Sequence, residues 1–107
     1  MNKTLKTDLV KVSHIDDLSS QIGKEVKIGD NEIALFKLSS GKIKAIENRC
    51  PHKQGPLSQG IISGEYIFCP LHDWKIDLDN GEVQKPDDGC VKTYPVEVID
   101  DFIHIRV

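Results

Sequence analysis

Short stretches in which apolar and polar residues alternate run along the whole chain, and Gly, Asn, Asp or Ser interrupts them every few residues. A period of two is the signature of strands packed on one face. Leu9-Val10-Lys11-Val12 predicts a first strand. Val26 and Ile28, alternating with Lys27, predict a second, closed by a turn at Gly29-Asp30-Asn31. Glu32 to Leu38 is nearly all apolar, which suits a central strand. After a turn at Ser39-Ser40-Gly41, lysines alternate with apolar residues over 42–46, as on a half-exposed strand. Tyr66-Ile67-Phe68 and Trp74 to Leu78 predict two short strands, and Asp79-Asn80-Gly81 turns the chain after the second. The last pattern is a hairpin: Val96 to Ile99, a turn at Asp100-Asp101, then Phe102 to Val107. His14 to Ser19 offers the one helical turn. The expected fold is all-β, built from small antiparallel sheets. Two stretches, Asn48 to Gly60 and Cys69 to Trp74, are too irregular for strands.

The 107 residues suit one domain, residues 1–107, with a modest core. Fourteen basic and seventeen acidic residues leave a formal charge of −3, which argues against a nucleic-acid partner. The first residues are polar, and no apolar run has the length of a signal peptide or a membrane helix. The expectation is therefore a cytoplasmic protein without a membrane partner. In a reducing compartment, thiols more often bind metal than form disulfides.

Three cysteines and four histidines are the remaining chemistry. The first irregular stretch contains Cys50-Pro51-His52 and the second Cys69-Pro70-Leu71-His72, giving the spacing C-x-H-x16-C-x2-H. Each loop offers one thiol and one imidazole. Each cysteine is followed by proline, which fixes φ and removes an amide donor. Gly55 and Gly60 would allow tight turns around a buried object. Cys50, His52, Cys69 and His72 could hold one tetrahedral zinc. They could also hold two irons bridged by sulfide, with both cysteines on one iron and both histidines on the other, and the order of the ligands favours this over zinc. Zinc sites often pair two cysteines in one knuckle, whereas unlike ligands in each loop let two loops close with sulfur inward and nitrogen outward.

Glu47 to Asp77 resembles the cluster-binding subdomain of Rieske [2Fe–2S] proteins. The run CPHKQGPLSQGIISGEYIFCPLHDWKIDLDNGEV, followed by PDDGCVKTYPVEV, is similar to the small subunit of assimilatory NAD(P)H-dependent nitrite reductases, a likeness that covers residues 8–107. The resemblance implies a Rieske-like fold with Cys50 and Cys69 on the inner iron and His52 and His72 on the outer one. It implies that Pro86-Asp87-Asp88-Gly89 shields the cluster from a third side. It also implies a large catalytic partner subunit carrying FAD, a [4Fe–4S] cluster and sirohaem, the pair reducing nitrite to ammonium. Relatives of high potential place an extra cysteine in each loop; Gly55 and Leu71 stand there in this chain, so that disulfide cannot form. They also place a serine and a tyrosine where Trp74 and Ile76 stand. Donors to sulfur favour the reduced cluster, so their loss predicts a potential near the low end of the Rieske range, about −150 mV. Asp73 replaces a glycine common among relatives.

The other candidates have plainer readings. Cys90 is expected to be a buried free thiol opening a strand. His104 should share an outer face with Phe102 and Arg106, and His14 should cap a turn. Trp74 should pack beneath its loop. Lys53 and Gln54 are loop residues beside His52, and Asp77, Asp79, Glu82, Asp87 and Asp88 read as a solvated acidic face. No nucleophile–base pair or phosphate-binding glycine loop is present, so the chain is expected to be non-catalytic alone: an electron-transfer small subunit of an oxidoreductase, with no catalytic residue of its own. Its first reading is the nitrite reductase subunit. The alternative is a free-standing Rieske ferredoxin that feeds an aromatic-ring dioxygenase, and a third is a zinc-bound interaction module.

Overall fold

The structure is a computed structural model that describes residues 9–51, 55–71 and 74–107. Among these residues the regular structure is β1 (Leu9–His14), β2 (Lys24–Ile28), β3 (Asn31–Lys37), β4 (Ile43–Glu47), β5 (Ile61–Ser63), β6 (Tyr66–Phe68), β7 (Lys75–Asp77), β8 (Thr93–Tyr94), β9 (Val96–Ile99), β10 (Phe102–Arg106) and two single 3₁₀ turns, Ile15–Asp17 and Leu57–Gln59. The strands form three antiparallel sheets, ordered β1-β10-β9, β2-β3-β4-β8 and β5-β6-β7. The all-β expectation holds. No helix among the described residues is long and apolar enough to cross a membrane.

The middle sheet is buried on both faces, and β3 shows why its sequence does not alternate. Ile33 and Leu35 face one core, shared with Ile103 and Ile105 of β10. Ala34 and Phe36 face a second core, shared with Ile62, Ile67 and Ile76 of the β5-β6-β7 sheet. Successive side chains of a strand point to opposite faces, so a strand between two layers needs apolar residues at every position. Phe36 is fully buried, and truncating a residue of this kind to alanine typically costs about 3–5 kcal/mol.

The same geometry corrects the reading of 42–46 as half-exposed. Ala45 and Ile46 are both buried, one in each core. β4 lies between β3 and β8, and Lys44 escapes burial by reaching the rim, where its ammonium lies 2.8 Å from Asp79 Oδ1. Two strands, β5 and β8, go beyond the sequence reading, because three and two residues carry too little pattern. The last hairpin is as expected: Asp100 and Asp101 have φ of 52° and 67°, the left-handed pair that a two-residue turn requires. His14 caps the 3₁₀ turn Ile15–Asp17, its Nδ1 accepting the Asp16 amide at 3.0 Å. His104 lies on the outer face of β10 and bonds to the Phe102 carbonyl oxygen at 3.1 Å.

Candidate metal centre

The β5-β6-β7 sheet and the two irregular stretches bring Cys50 and Cys69 into one apolar core with Leu57, Ile67, Ile76 and Val83. Cys50 is 0% exposed and Cys69 1%, and neither thiol is in a disulfide. The two cysteines are held by the same device. The Cys50 amide donates to the Gly55 carbonyl and the Cys69 amide to the Trp74 carbonyl, each at 2.9 Å and each spanning five residues. The Leu71 amide donates toward Cys69 Sγ at 3.4 Å. His52 and His72, with Lys53, Gln54 and Asp73, lie outside the described residues.

Gly55 and Gly60 are required for closeness and not for tight turns. Gly60 is extended, with φ −80° and ψ −176°. A Cβ on Gly60 would come 2.2 Å from the Phe68 carbonyl oxygen, and one on Gly55 would come 3.0 Å from the Leu71 side chain and 3.2 Å from Cys69 Sγ. The first stretch therefore lies directly against the second at Gly55 and against the end of β6 at Gly60. From a third direction, Gly89 approaches Pro51, where an added Cβ would meet the ring at 3.4 Å. The Pro86–Gly89 segment thus reaches the proline that separates Cys50 from His52.

Trp74 is half-buried against this core, in keeping with a packing role. Cys90 departs from its expectation: it is exposed, and it forms an isolated bridge with Glu82 instead of opening a strand. The apolar neighbour Val91 takes the buried position instead. The acidic set is more than a solvated face. Asp79 pairs with Lys44, and Asp77 Oδ1 accepts the Asp79 amide at 2.7 Å, which shapes the turn after β7. The hydrogen bond and charge of Lys44 hold the Asp79 carboxyl below its usual value of 3.8. Burial, with the Glu47 carboxylate, pushes Tyr94 above 10.0.

One residue of the site has no counterpart in the sequence reading. Asn48 is 4% exposed, and its Oδ1 accepts the Ser58 amide at 2.7 Å. The available signal was a carboxamide at the end of a doubly buried strand, two residues before Cys50.

Two surface cavities of about 280 and 130 Å³ lie along β4 and β8, and neither is lined by Cys50 or Cys69. No group of three or more His, Cys, Asp or Glu side chains among the described residues is placed to hold a metal ion. What the described residues supply is a pair of buried sulfurs beneath two loops. Soft thiolates suit zinc or iron–sulfur ligation, so the residues fit an iron–sulfur cluster on its sulfur-ligated side.

Known proteins resemble the chain in sequence and in fold. The chain is 35% identical over 85 residues to the ferredoxin component of the naphthalene 1,2-dioxygenase/salicylate 5-hydroxylase systems of Ralstonia sp, covering 78% of this chain and 81% of that one. It is 38% identical over 85 residues to the 4beta-methylsterol monooxygenase of Methylococcus capsulatus, covering 69% of this chain but only 23% of that protein's length. A solved structure assigned as the small subunit of an NADPH nitrite reductase matches with a TM-score of 0.81 and 30% identity, covering 92% of this chain and 97% of that one. The profile of the Rieske [2Fe-2S] domain matches residues 8–95. With two buried cysteines in one core and a family match spanning most of its length, the chain belongs to the Rieske [2Fe-2S] domain family.

Proposed function

We propose that Cys50 and Cys69 hold one iron of a Rieske [2Fe–2S] cluster, that His52 and His72 hold the other, and that the chain passes single electrons to or from a larger redox partner. The observation that carries this reading is the pair of buried, unbridged thiols, each with its amide tied five residues ahead. When bound, such a cluster gives and takes one electron at a time. The residues of this chain keep the sulfurs away from water and aim the Leu71 amide at Cys69. Trp74 and Ile76, standing where relatives of high potential carry a serine and a tyrosine, support a potential low in the Rieske range.

For the partner we favour the large subunit of an assimilatory nitrite reductase, with its own FAD, [4Fe–4S] cluster and sirohaem. Support comes from the 30% identical small-subunit structure and from the Lys92-Thr93-Tyr94-Pro95 tail. A second reading, a ferredoxin feeding an aromatic-ring dioxygenase, is favoured by the 35% identity to the Ralstonia ferredoxin. A cytoplasmic setting accords with thiols that form no disulfide.

Purification under anaerobic conditions tests the cofactor first. A red-brown protein with a rhombic EPR signal on reduction supports it, and a colourless zinc protein sinks it. The loaded protein is then added to each partner. Restored nitrite-dependent NAD(P)H oxidation by a large subunit supports the first reading, and electron delivery to an aromatic-ring oxygenase supports the second.

A further inference from the structure

The two cysteine loops differ in what closes their base. Cys69 directly follows β6, and Phe68 pairs with Lys75 at the start of β7, so a strand ladder holds both ends of the second loop. The first loop leaves β4 at Glu47 and ends in the 3₁₀ turn Leu57–Gln59, which belongs to no sheet. Its start is anchored where the Asn48 amide donates to the Glu32 carbonyl at 2.9 Å, one residue beyond β4. Its end needs a separate anchor. The first amides of a helical turn have no partner within the turn, and the residue at the N-cap is Pro56, whose side chain makes no capping bond. Asn48 supplies the missing acceptor from ten residues away, through the 2.7 Å bond from the Ser58 amide to its Oδ1. Both residues are buried, so water does not serve as a substitute. A neutral carboxamide accepts this bond without placing a charge in the core that holds Cys50 and Cys69.

We propose that Asn48 is the positioning residue of the first loop. By capping the 57–59 turn it closes the loop on Cys50 and keeps that sulfur in register with Cys69. Cluster retention and midpoint potential then depend on a side chain that is not a ligand. This inference rests on the reading of Cys50 and Cys69 as ligands. Removing an outer partner of a metal ligand commonly costs about 10–100-fold in metal retention.

The test uses the full chain carrying Asn48→Ala or Asn48→Asp. Cluster loss to a chelator is followed by visible absorption, midpoint potential by redox titration, and amide exchange over 48–60 by mass spectrometry. Asn48→Ala should lose its cluster about 10–100-fold faster and exchange faster at Ser58, with β3 and β4 unchanged. Asn48→Asp keeps an acceptor oxygen at this position, so it should retain the cluster longer than Asn48→Ala does. Wild-type retention and exchange in Asn48→Ala would overturn the proposal, as would Asn48→Asp losing its cluster as fast as Asn48→Ala. Should Asn48→Ala fail to fold, Asn48→Asp decides alone: a protected Ser58 with a retained cluster supports the role, and rapid exchange at Ser58 refutes it. A wild-type chain without any cluster refutes the ligand reading only, since exchange at Ser58 still reports whether Asn48 holds the loop.

Discussion

The segments that begin at Cys50 and Cys69 use one local solution on two foundations. In each, the cysteine amide is tied to the carbonyl five residues on, and the sulfur points into the same core. The second segment joins two paired strands, so main-chain hydrogen bonds set its ends. The first joins a strand to a 3₁₀ turn, and a buried side chain sets its far end. Backbone ladders tolerate most residue types, whereas a single carboxamide does not. The same closure is therefore robust to substitution on one side and dependent on a particular residue on the other.

The largest effect should be identical for the two loops. Cys50→Ala and Cys69→Ala each remove one of the two buried sulfurs, and each should abolish the visible absorption and iron content, with far-UV circular dichroism retained. If one variant kept a spectrally normal cluster, the equivalence of the loops as sulfur donors would fail. The next largest effect concerns the close approaches of the first loop, to the end of β6 and to the second loop. In Gly60→Ala the new Cβ would lie 2.2 Å from the Phe68 carbonyl oxygen, which is backbone and cannot rotate away. Overpacking of this kind costs about 1–3 kcal/mol, and each kcal/mol lowers the melting temperature of a domain this size by about 4–8 °C. Gly55→Ala meets the flexible Leu71 side chain instead and should cost less. Thermal unfolding of the two variants gives the ranking, and the reverse order would show that contact with the Cys69 side matters more than contact with β6.

The chemistry was more legible in the sequence than its supports. The quartet of Cys50, His52, Cys69 and His72 stands out in the sequence because metal-binding loops repeat residue types at short spacing; of the four, the described residues include Cys50 and Cys69, which share one core. β3 was legible because burial on both faces leaves no room for polar residues. β4 was misread because the long stem of Lys44 carries its charge to Asp79 at the rim, so its lysine did not mark an exposed face. Cys90 was misread because a lone thiol carries no periodic signal, and the neighbouring Val91 took the buried position. Asn48 was invisible because its partner is a backbone amide ten residues away, and any residue at 58 except proline would offer the same donor.

A smaller effect separates the loops electronically. The Leu71 amide is the donor toward Cys69 Sγ, and no equivalent bond to Cys50 Sγ is seen among the described residues. Leu71→Pro removes that donor while leaving the cysteine in place. If the bond favours the reduced cluster by about 0.5–1 kcal/mol, its loss lowers a one-electron potential by about 20–40 mV. Redox titration of the variant beside Leu71→Ala, which keeps the amide, isolates the hydrogen bond from the side chain. Equal potentials for the two variants would show that the Leu71 amide does not tune the sulfur.

The smallest effect lies in the second loop's outer support. Lys44 of β4 reaches Asp79 in the turn after β7, and Lys42 lies 3.7 Å from Glu65 in the turn before β6, so two ion pairs brace the β6–β7 hairpin against the middle sheet. Both are at the surface, where such pairs contribute little and are screened by salt. The sign with pH follows from Asp79. Its carboxyl is held below 3.8 by the Lys44 hydrogen bond first and the Lys44 charge second. A carboxyl lowered on folding adds stability above its unfolded value, and that contribution fades as pH falls through the lower folded value. Asp79→Asn should therefore melt slightly below wild type at neutral pH and low salt, and the gap should close in acid below 3.8 and at high salt. Cluster loss to a chelator should be unchanged in the variant, because the Phe68–Lys75 pair and not the ion pair holds the second loop. Faster loss in Asp79→Asn would mean that this loop, like the first, leans on a side chain.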